Sequence, residues 1–236
     1  MKIYLANKIV EDIYFVFQPI MYTNHDLQAT VDSYEVLLRS KDEDCFPVHL
    51  FAEILKSKEH TSLLFKKYTK MVEHFMATVP EVSLSFNLRY QQLEHSSMWR
   101  FLTDCQSYSN RMVIEFTENT PKDYQGDNSQ IGNDLEKVRN LGYRVALDDV
   151  GTGMNTLAFV TEHIAYLSWI KLSVLPFSSM ERTDLLDYIR NWAALASNNQ
   201  IRLVVEAVED EEFAEQLHNL DLAYQQGFLW GSANVL

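Results

Sequence analysis

The chain has 236 residues, 47% hydrophobic and 22% charged, and its twenty Lys and Arg against thirty-three Asp and Glu give a formal net charge of −13. The apolar fraction excludes wholesale disorder, and the acidic balance argues against broad nucleic-acid or anionic-membrane binding, so no DNA or membrane partner is expected. Two cysteines, Cys45 and Cys105, cannot build a disulfide framework, no apolar run approaches the ~18 to 20 residues of a membrane helix, and the start MKIYLANKIVEDIYF lacks the features of a signal peptide, so a cytoplasmic protein is expected.

Short β-rich runs recur along the chain at 14–21, 33–39, 82–88, 112–117, 144–149, 167–172, 201–208 and 224–230. Helical stretches are expected between them at 49–79, 90–107, 129–141, 154–165, 181–198 and 210–220. Leu185, Leu186, Ile189, Trp192 and Ala193 show the apolar spacing of a helix face, and Asp210 is a fitting N-cap for the last stretch. About a dozen polar residues without an obvious helix join the first two runs, which suits a hairpin. From the second run on, strand and helix alternate, as in an α/β barrel or a doubly wound sheet. No Pro/Gly/Ser-rich linker, low-complexity tract or internal repeat interrupts the chain, so residues 1–236 are expected to form a single domain with no sensory or second catalytic unit.

The strand ends carry unusual chemistry. Glu35, Asn87, Glu115, Asp148-Asp149, Lys171, Glu206 and Gln226 sit on or close after seven successive runs, with Glu118 and Glu209 just beyond two of them. Singly, each has a plain explanation. Asp-Asp before Gly151-Thr152-Gly153 suits a turn, Asn87 a backbone cap, Lys171 a side chain snorkelling from a strand end, and Glu35 with Arg39 a surface pair. Recurrence at the same end of consecutive strands argues against coincidence, because inward carboxylates are costly unless paired or metal-bound. In a parallel barrel they converge on the face where active sites form. This all-oxygen set suits hard cations such as Mg²⁺ or Mn²⁺, and adjacent aspartates suit two of them, the arrangement used for phosphodiester hydrolysis. Other motifs fail: Gly151 to Thr156 lacks the third Gly of a dinucleotide fingerprint, and the EF-hand-like segment from Asp127 ends on Val138 where Glu is needed.

In order and spacing the chain resembles the EAL family of bacterial cyclic di-GMP phosphodiesterases over nearly its full length. The resembling segments are Phe17-Gln18-Pro19-Ile20, Tyr34-Glu35-Val36-Leu37-Leu38-Arg39, Phe86-Asn87-Leu88 and Glu115-Phe116-Thr117-Glu118. They continue with Asp148-Asp149-Val150-Gly151-Thr152-Gly153, Lys171, Val205-Glu206-Ala207-Val208-Glu209 and Gln226-Gly227-Phe228. The resemblance implies a modified TIM (β/α)₈-like barrel whose first strand is antiparallel. It implies that Glu35, Asn87, Glu115 and Asp148 bind one divalent metal, Mg²⁺ or Mn²⁺, and that Asp148 and Asp149 serve a second with Glu206 and Gln226. Lys171 would orient or activate the attacking water, which makes Lys171, Glu206 and Glu35 the catalytic candidates. Gln18, Leu37, Arg39 and Gln226 would bind the substrate, with Arg39 on a phosphate. Glu118 would hold the loop containing Gly151, Thr152 and Gly153. The implied reaction converts cyclic di-GMP to linear pGpG, lowering a second messenger that governs motility and biofilm formation. Ca²⁺ would inhibit it, and a homodimer is implied. The alternative is a catalytically silent cyclic di-GMP receptor or protein-interaction regulator.

The sequence departs from the family pattern at several positions. The signature reads Glu-Val-Leu, and Val150 stands where the family has Phe. Ala207 replaces a Gly, and Met154-Asn155-Thr156 differs from the usual loop end. A Pro near the last strand is missing from Gly231-Ser232-Ala233-Asn234. Ser173 stands two residues after Lys171 in place of an Asp, which predicts reduced activity because a hydroxyl supplies no charge-assisted bond.

Overall fold

The computed structural model describes residues 12–24, 28–41, 45–118 and 128–236. The start of the chain, where no leader is expected, and Asp127 lie outside them. Strands β1 (Ile13–Thr23) and β2 (Ala29–Ser40) form the expected hairpin. Then follow β3 (Ser83–Leu88), β4 (Met112–Phe116), β5 (Arg144–Leu147), β6 (Trp169–Ser173), β7 (Arg202–Glu206) and β8 (Tyr224–Gln226). The eight close into a barrel in chain order. β1 runs antiparallel to both β2 and β8, and every other pairing is parallel. The doubly wound alternative is thereby excluded.

Seven α-helices are described around the barrel: α1 (Val48–Leu55), α2 (Lys58–Thr78), α3 (Ser96–Asp104), α4 (Asn128–Asn140), α5 (Leu157–His163), α6 (Arg182–Asn198) and α7 (Glu211–His218). Several boundaries differ from expectation for local reasons. The 49–79 stretch divides at Ser57, whose hydroxyl accepts the His60 amide at 3.3 Å and starts a new helix. The 90–107 stretch is not one helix but a 3₁₀ turn, α3 and the start of a second 3₁₀ turn. There the Gln92 side chain accepts the Arg89 amide at 2.8 Å and caps the first turn. Asp210 caps α7 as expected, accepting the Phe213 amide at 2.7 Å. Both strands extend beyond their apolar runs, β1 as far as Thr23 and β2 from Ala29. β8 stops at Gln226 instead of continuing to 230. Gly227 there approaches the Val208 backbone so closely that any Cβ would collide with it, and the chain turns, the Trp230 amide bonding Gly227 O at 3.1 Å.

Alternation along each strand sorts the residues between two environments. Met112, Ile114 and Phe116 of β4, Ile170 and Leu172 of β6, and Leu203 and Val205 of β7 join the core beneath the helices. Their neighbours point inward. Ile20, Val113, Ala146, Trp169 and Val204 pack with Tyr224 into an apolar layer that fills the barrel. Two residues further along the strands, the same register brings Glu115, Asp148, Lys171, Glu206 and Gln226 above that layer. None of the helices among the described residues is long and apolar enough to cross a membrane.

Candidate active site

Lys171 is the centre of the polar layer. It is fully buried, so the snorkelling explanation fails. Its Nζ lies 3.0 Å from Glu35 Oε2, 3.0 Å from Glu115 Oε2, 2.8 Å from Glu206 Oε1 and 3.4 Å from Asp148 Oδ1. An ammonium carries three protons, so four carboxylates exceed its donors, and Asp148 at the longest distance is the one left short. Glu35 also accepts from Gln226 Nε2 at 2.7 Å and from Asn87 Nδ2. It is thus a buried hub and makes no surface pair with Arg39, whose Nη1 donates to Leu38 O at 2.9 Å.

These surroundings shift the carboxyl pKa values in opposite directions. Burial alone raises Glu35, but the Lys171 charge and bonds from Gln226, Lys171 and Asn87 outweigh it and hold the group below its usual range. Glu115 is raised by burial despite Lys171, with Glu35 adding repulsion. Asp148 is raised well above its usual value, chiefly by burial, with Lys171 opposing and Glu206, Glu115 and Glu35 repelling. Burial also raises Asp149, and it pushes Glu206 up to about 7. For Lys171, burial favours loss of the proton, but the four carboxylates prevail and keep the ammonium charged.

The chain beyond β5 positions the second aspartate. Asp149 takes a left-handed backbone, φ +48°, and carboxylate oxygens of Asp148, Asp149 and Glu206 come within 4.8 Å of one another. Thr152 donates from its hydroxyl to Asp149 O at 2.8 Å, and the Met154 amide bonds Glu118 O at 3.2 Å. Gly153 sits at φ +48° with Glu118 O only 2.7 Å from where a Cβ would lie, so the loop closes on Glu118 only with glycine here. Gly151, at φ +88°, is similarly crowded by the Tyr188 hydroxyl. Sequence reasoning missed the part played by Asn155. It is fully buried, and its Nδ2 donates to Asp148 O at 2.5 Å and Phe116 O at 3.2 Å, tying β4 to the end of β5. An Asn closing a Gly-containing loop after a strand was the available signal. Ala207, after β7, also adopts φ +61°, which explains why a Gly suits that position.

A cleft of about 530 Å³ opens above this centre. Gln18, Leu37 and Arg39 line one side and Asp148, Asp149, Ser173, Glu206 and Gln226 its floor, so the substrate-binding candidates share one space with the metal candidates Glu35, Asp148, Asp149 and Glu206, whereas Asn87 lines an adjoining cavity and Glu115 is fully buried. Leu175 and Phe228, 63% and 70% exposed, form an apolar rim; Phe228 ends one of the family-like segments, whereas Leu175 belongs to none.

The donor set fits hard divalent cations. Asn87 Oδ1, Glu115 Oε1, Asp148 Oδ1 and Gln226 Oε1 are buried acceptors without a hydrogen-bond donor among the described residues. Unsatisfied oxygens amid excess negative charge are what Mg²⁺ or Mn²⁺ would satisfy.

A barrel with an antiparallel first strand and carboxylates gathered at its carboxyl-terminal mouth defines the class of protein. Residues 5–233 match the family model of the EAL domain, and the chain belongs to that family. Among curated relatives, cyclic di-GMP phosphodiesterase PdeA of Borreliella burgdorferi is 25% identical over 177 residues, covering 73% of this chain and 26% of the relative. Cyclic di-GMP phosphodiesterase PdeF of Escherichia coli is 33% identical over 104 residues, covering 43% of this chain and 14% of the relative. The chain thus spans about a quarter or less of the length of these relatives. Among solved structures, the PaMucR phosphodiesterase in complex with cyclic di-GMP superposes with a TM-score of 0.76 at 20% identity, covering 94% of this chain and 97% of that one. Klebsiella pneumoniae BlrP1 with manganese and cyclic di-GMP also gives 0.76 at 20% identity, over 94% of this chain and 56% of that one. These structural likenesses establish the fold.

Proposed function

We propose that the protein hydrolyses one phosphodiester of cyclic di-GMP to give linear pGpG, using divalent cations. The observation that carries this reading is the buried ring of Glu35, Glu115, Asp148 and Glu206 around Lys171, with acceptor oxygens still unsatisfied beneath an open cleft. The relatives named as cyclic di-GMP phosphodiesterases support the substrate. Glu35, Asn87, Glu115 and Asp148 would hold one Mg²⁺ or Mn²⁺, and Asp148, Asp149, Glu206 and Gln226 a second. When bound, such ions neutralise the phosphate and lower the pKa of water. Lys171 anchors the carboxylates and orients the attacking water. Arg39 and Gln18 hold the substrate from the β1–β2 side. Water oxygen bonds to phosphorus, the bond to the 3′ oxygen breaks, and that oxygen receives a proton.

Ser173 favours a second reading, a receptor that binds without turnover, because a hydroxyl occupies the cleft floor where the family pattern has an acid. A homodimer remains part of the proposal. The test is chromatography of cyclic di-GMP incubated with the protein in Mn²⁺ or Mg²⁺, with Glu35→Ala alongside. Appearance of pGpG that the variant abolishes is expected. Binding without product would transfer the conclusion to the receptor reading, and product formed equally by Glu35→Ala would overturn the assigned site.

A further inference from the structure

A second cavity, of about 380 Å³, adjoins the cleft on the β2–β4 side and shares Leu37, Arg39, Asp148 and Asp149 with it. Its far wall is built by Arg89, Phe46 and Phe51. The Arg89 guanidinium lies 5.8 Å from the Phe46 ring centroid and 5.5 Å from that of Phe51. The two rings meet edge to face at 5.1 Å. The bond from the Arg89 amide to Gln92 Oε1 at 2.8 Å fixes the backbone that presents this side chain. No carboxylate pairs with the guanidinium among the described residues, although the chain carries thirteen excess negative charges. Arg89 directly follows the Phe86-Asn87-Leu88 segment and belongs to none of the segments that carry the family resemblance.

An arginine placed over aromatic rings is partly pre-organised, losing less entropy when its forked N–H groups bind. The cavity offers Val36, Leu37, Phe51 and Leu88 to a planar base, with the Arg89 side chain on the same lining. Guanine presents two acceptors, O6 and N7, to such a fork, whereas adenine places an amino donor where O6 would be. A cyclic dinucleotide reacting at the acidic centre has one nucleotide in the cleft and a second that must lie beside it. We propose that Arg89, backed by Phe46 and Phe51, reads the second guanine of the substrate and so sets the specificity for guanine over adenine. This rests on the hydrolysis reading and names a specificity-determining residue for it.

The test measures binding of cyclic di-GMP and cyclic di-AMP by calorimetry in Ca²⁺, and kcat and KM for cyclic di-GMP in Mn²⁺. Parent, Arg89→Ala and Arg89→Lys are compared. Arg89→Ala is expected to weaken cyclic di-GMP roughly ten- to a hundredfold, leaving cyclic di-AMP and kcat within about twofold. Arg89→Lys keeps the charge without the fork and is expected to lose most of the discrimination. It also carries the test if Arg89→Ala does not fold. Unchanged cyclic di-GMP affinity in the variants, or equal loss of both nucleotides, overturns the assignment of Arg89 while parent turnover leaves the hydrolysis reading intact. A parent that neither binds nor cleaves cyclic di-GMP overturns both.

Discussion

Replacing Lys171 with Met tests whether the ammonium holds the barrel mouth together in the absence of metal. The substitution keeps an unbranched chain of similar length in a fully buried site but removes the charge facing Glu35, Glu115, Asp148 and Glu206. At an effective dielectric near 20, each ~3 Å contact is worth about 5 kcal/mol before desolvation is subtracted. Measured costs of breaking such buried pairs are about 3 to 5 kcal/mol, which corresponds to a fall of roughly 6 to 20 °C in Tm for a chain of this size. The cost depends on pH in a definite direction. Burial already raises Glu115, Asp148 and Glu206, and without Lys171 they rise further. The folded protein then retains protons that the unfolded chain has released, so its stability falls as pH increases above the ordinary carboxylate range. Thermal unfolding in EDTA should therefore show a small deficit at pH 5 and the full deficit at pH 8, and Mn²⁺ should recover more of it in the variant than it adds to the parent. A deficit below about 1 kcal/mol at pH 8, or one larger at pH 5, would refute this electrostatic account.

Three further predictions test other parts of the structure. Ala207→Gly relieves a left-handed backbone at φ +61° and is expected to stabilise the protein by about 1 kcal/mol in urea denaturation; a loss of stability would show that the position is not strained. Ser173→Asp adds a carboxylate opposite Glu206 in the β6–β7 register and is expected to lower Tm in EDTA yet raise turnover more than twofold in Mn²⁺. A smaller gain contradicts the role given to that position. Burial pushes the Cys105 thiol up to about 12, while Cys45 is exposed. Alkylation of the native protein at pH 8 should consume one thiol and unfolding should release the second, so two reacting thiols before unfolding would show that Cys105 is open to solvent.

Much of the architecture was legible in one dimension because strand and helix periods are local. The eight runs and most intervening helices are recoverable from apolar spacing alone, and the hairpin was implied by a connection without a helix. The acids were conspicuous because ionisable side chains interrupt runs that are otherwise buried: Glu115 is the only charged residue in β4, and Lys171 the only one in β6. Local patterning left both a barrel and an open sheet available, and barrel closure is a contact between β1 and β8, two hundred residues apart, that no local pattern encodes. Tertiary structure also decided that Glu35 faces Lys171 instead of Arg39, that Asn155 fastens the loop after β5, and that Arg89 lies against Phe46 and Phe51. Side-chain type and order are properties of the chain, but the partner of a buried charge is set by strand register and by which neighbours exclude water. Those are determined only when the sheet closes.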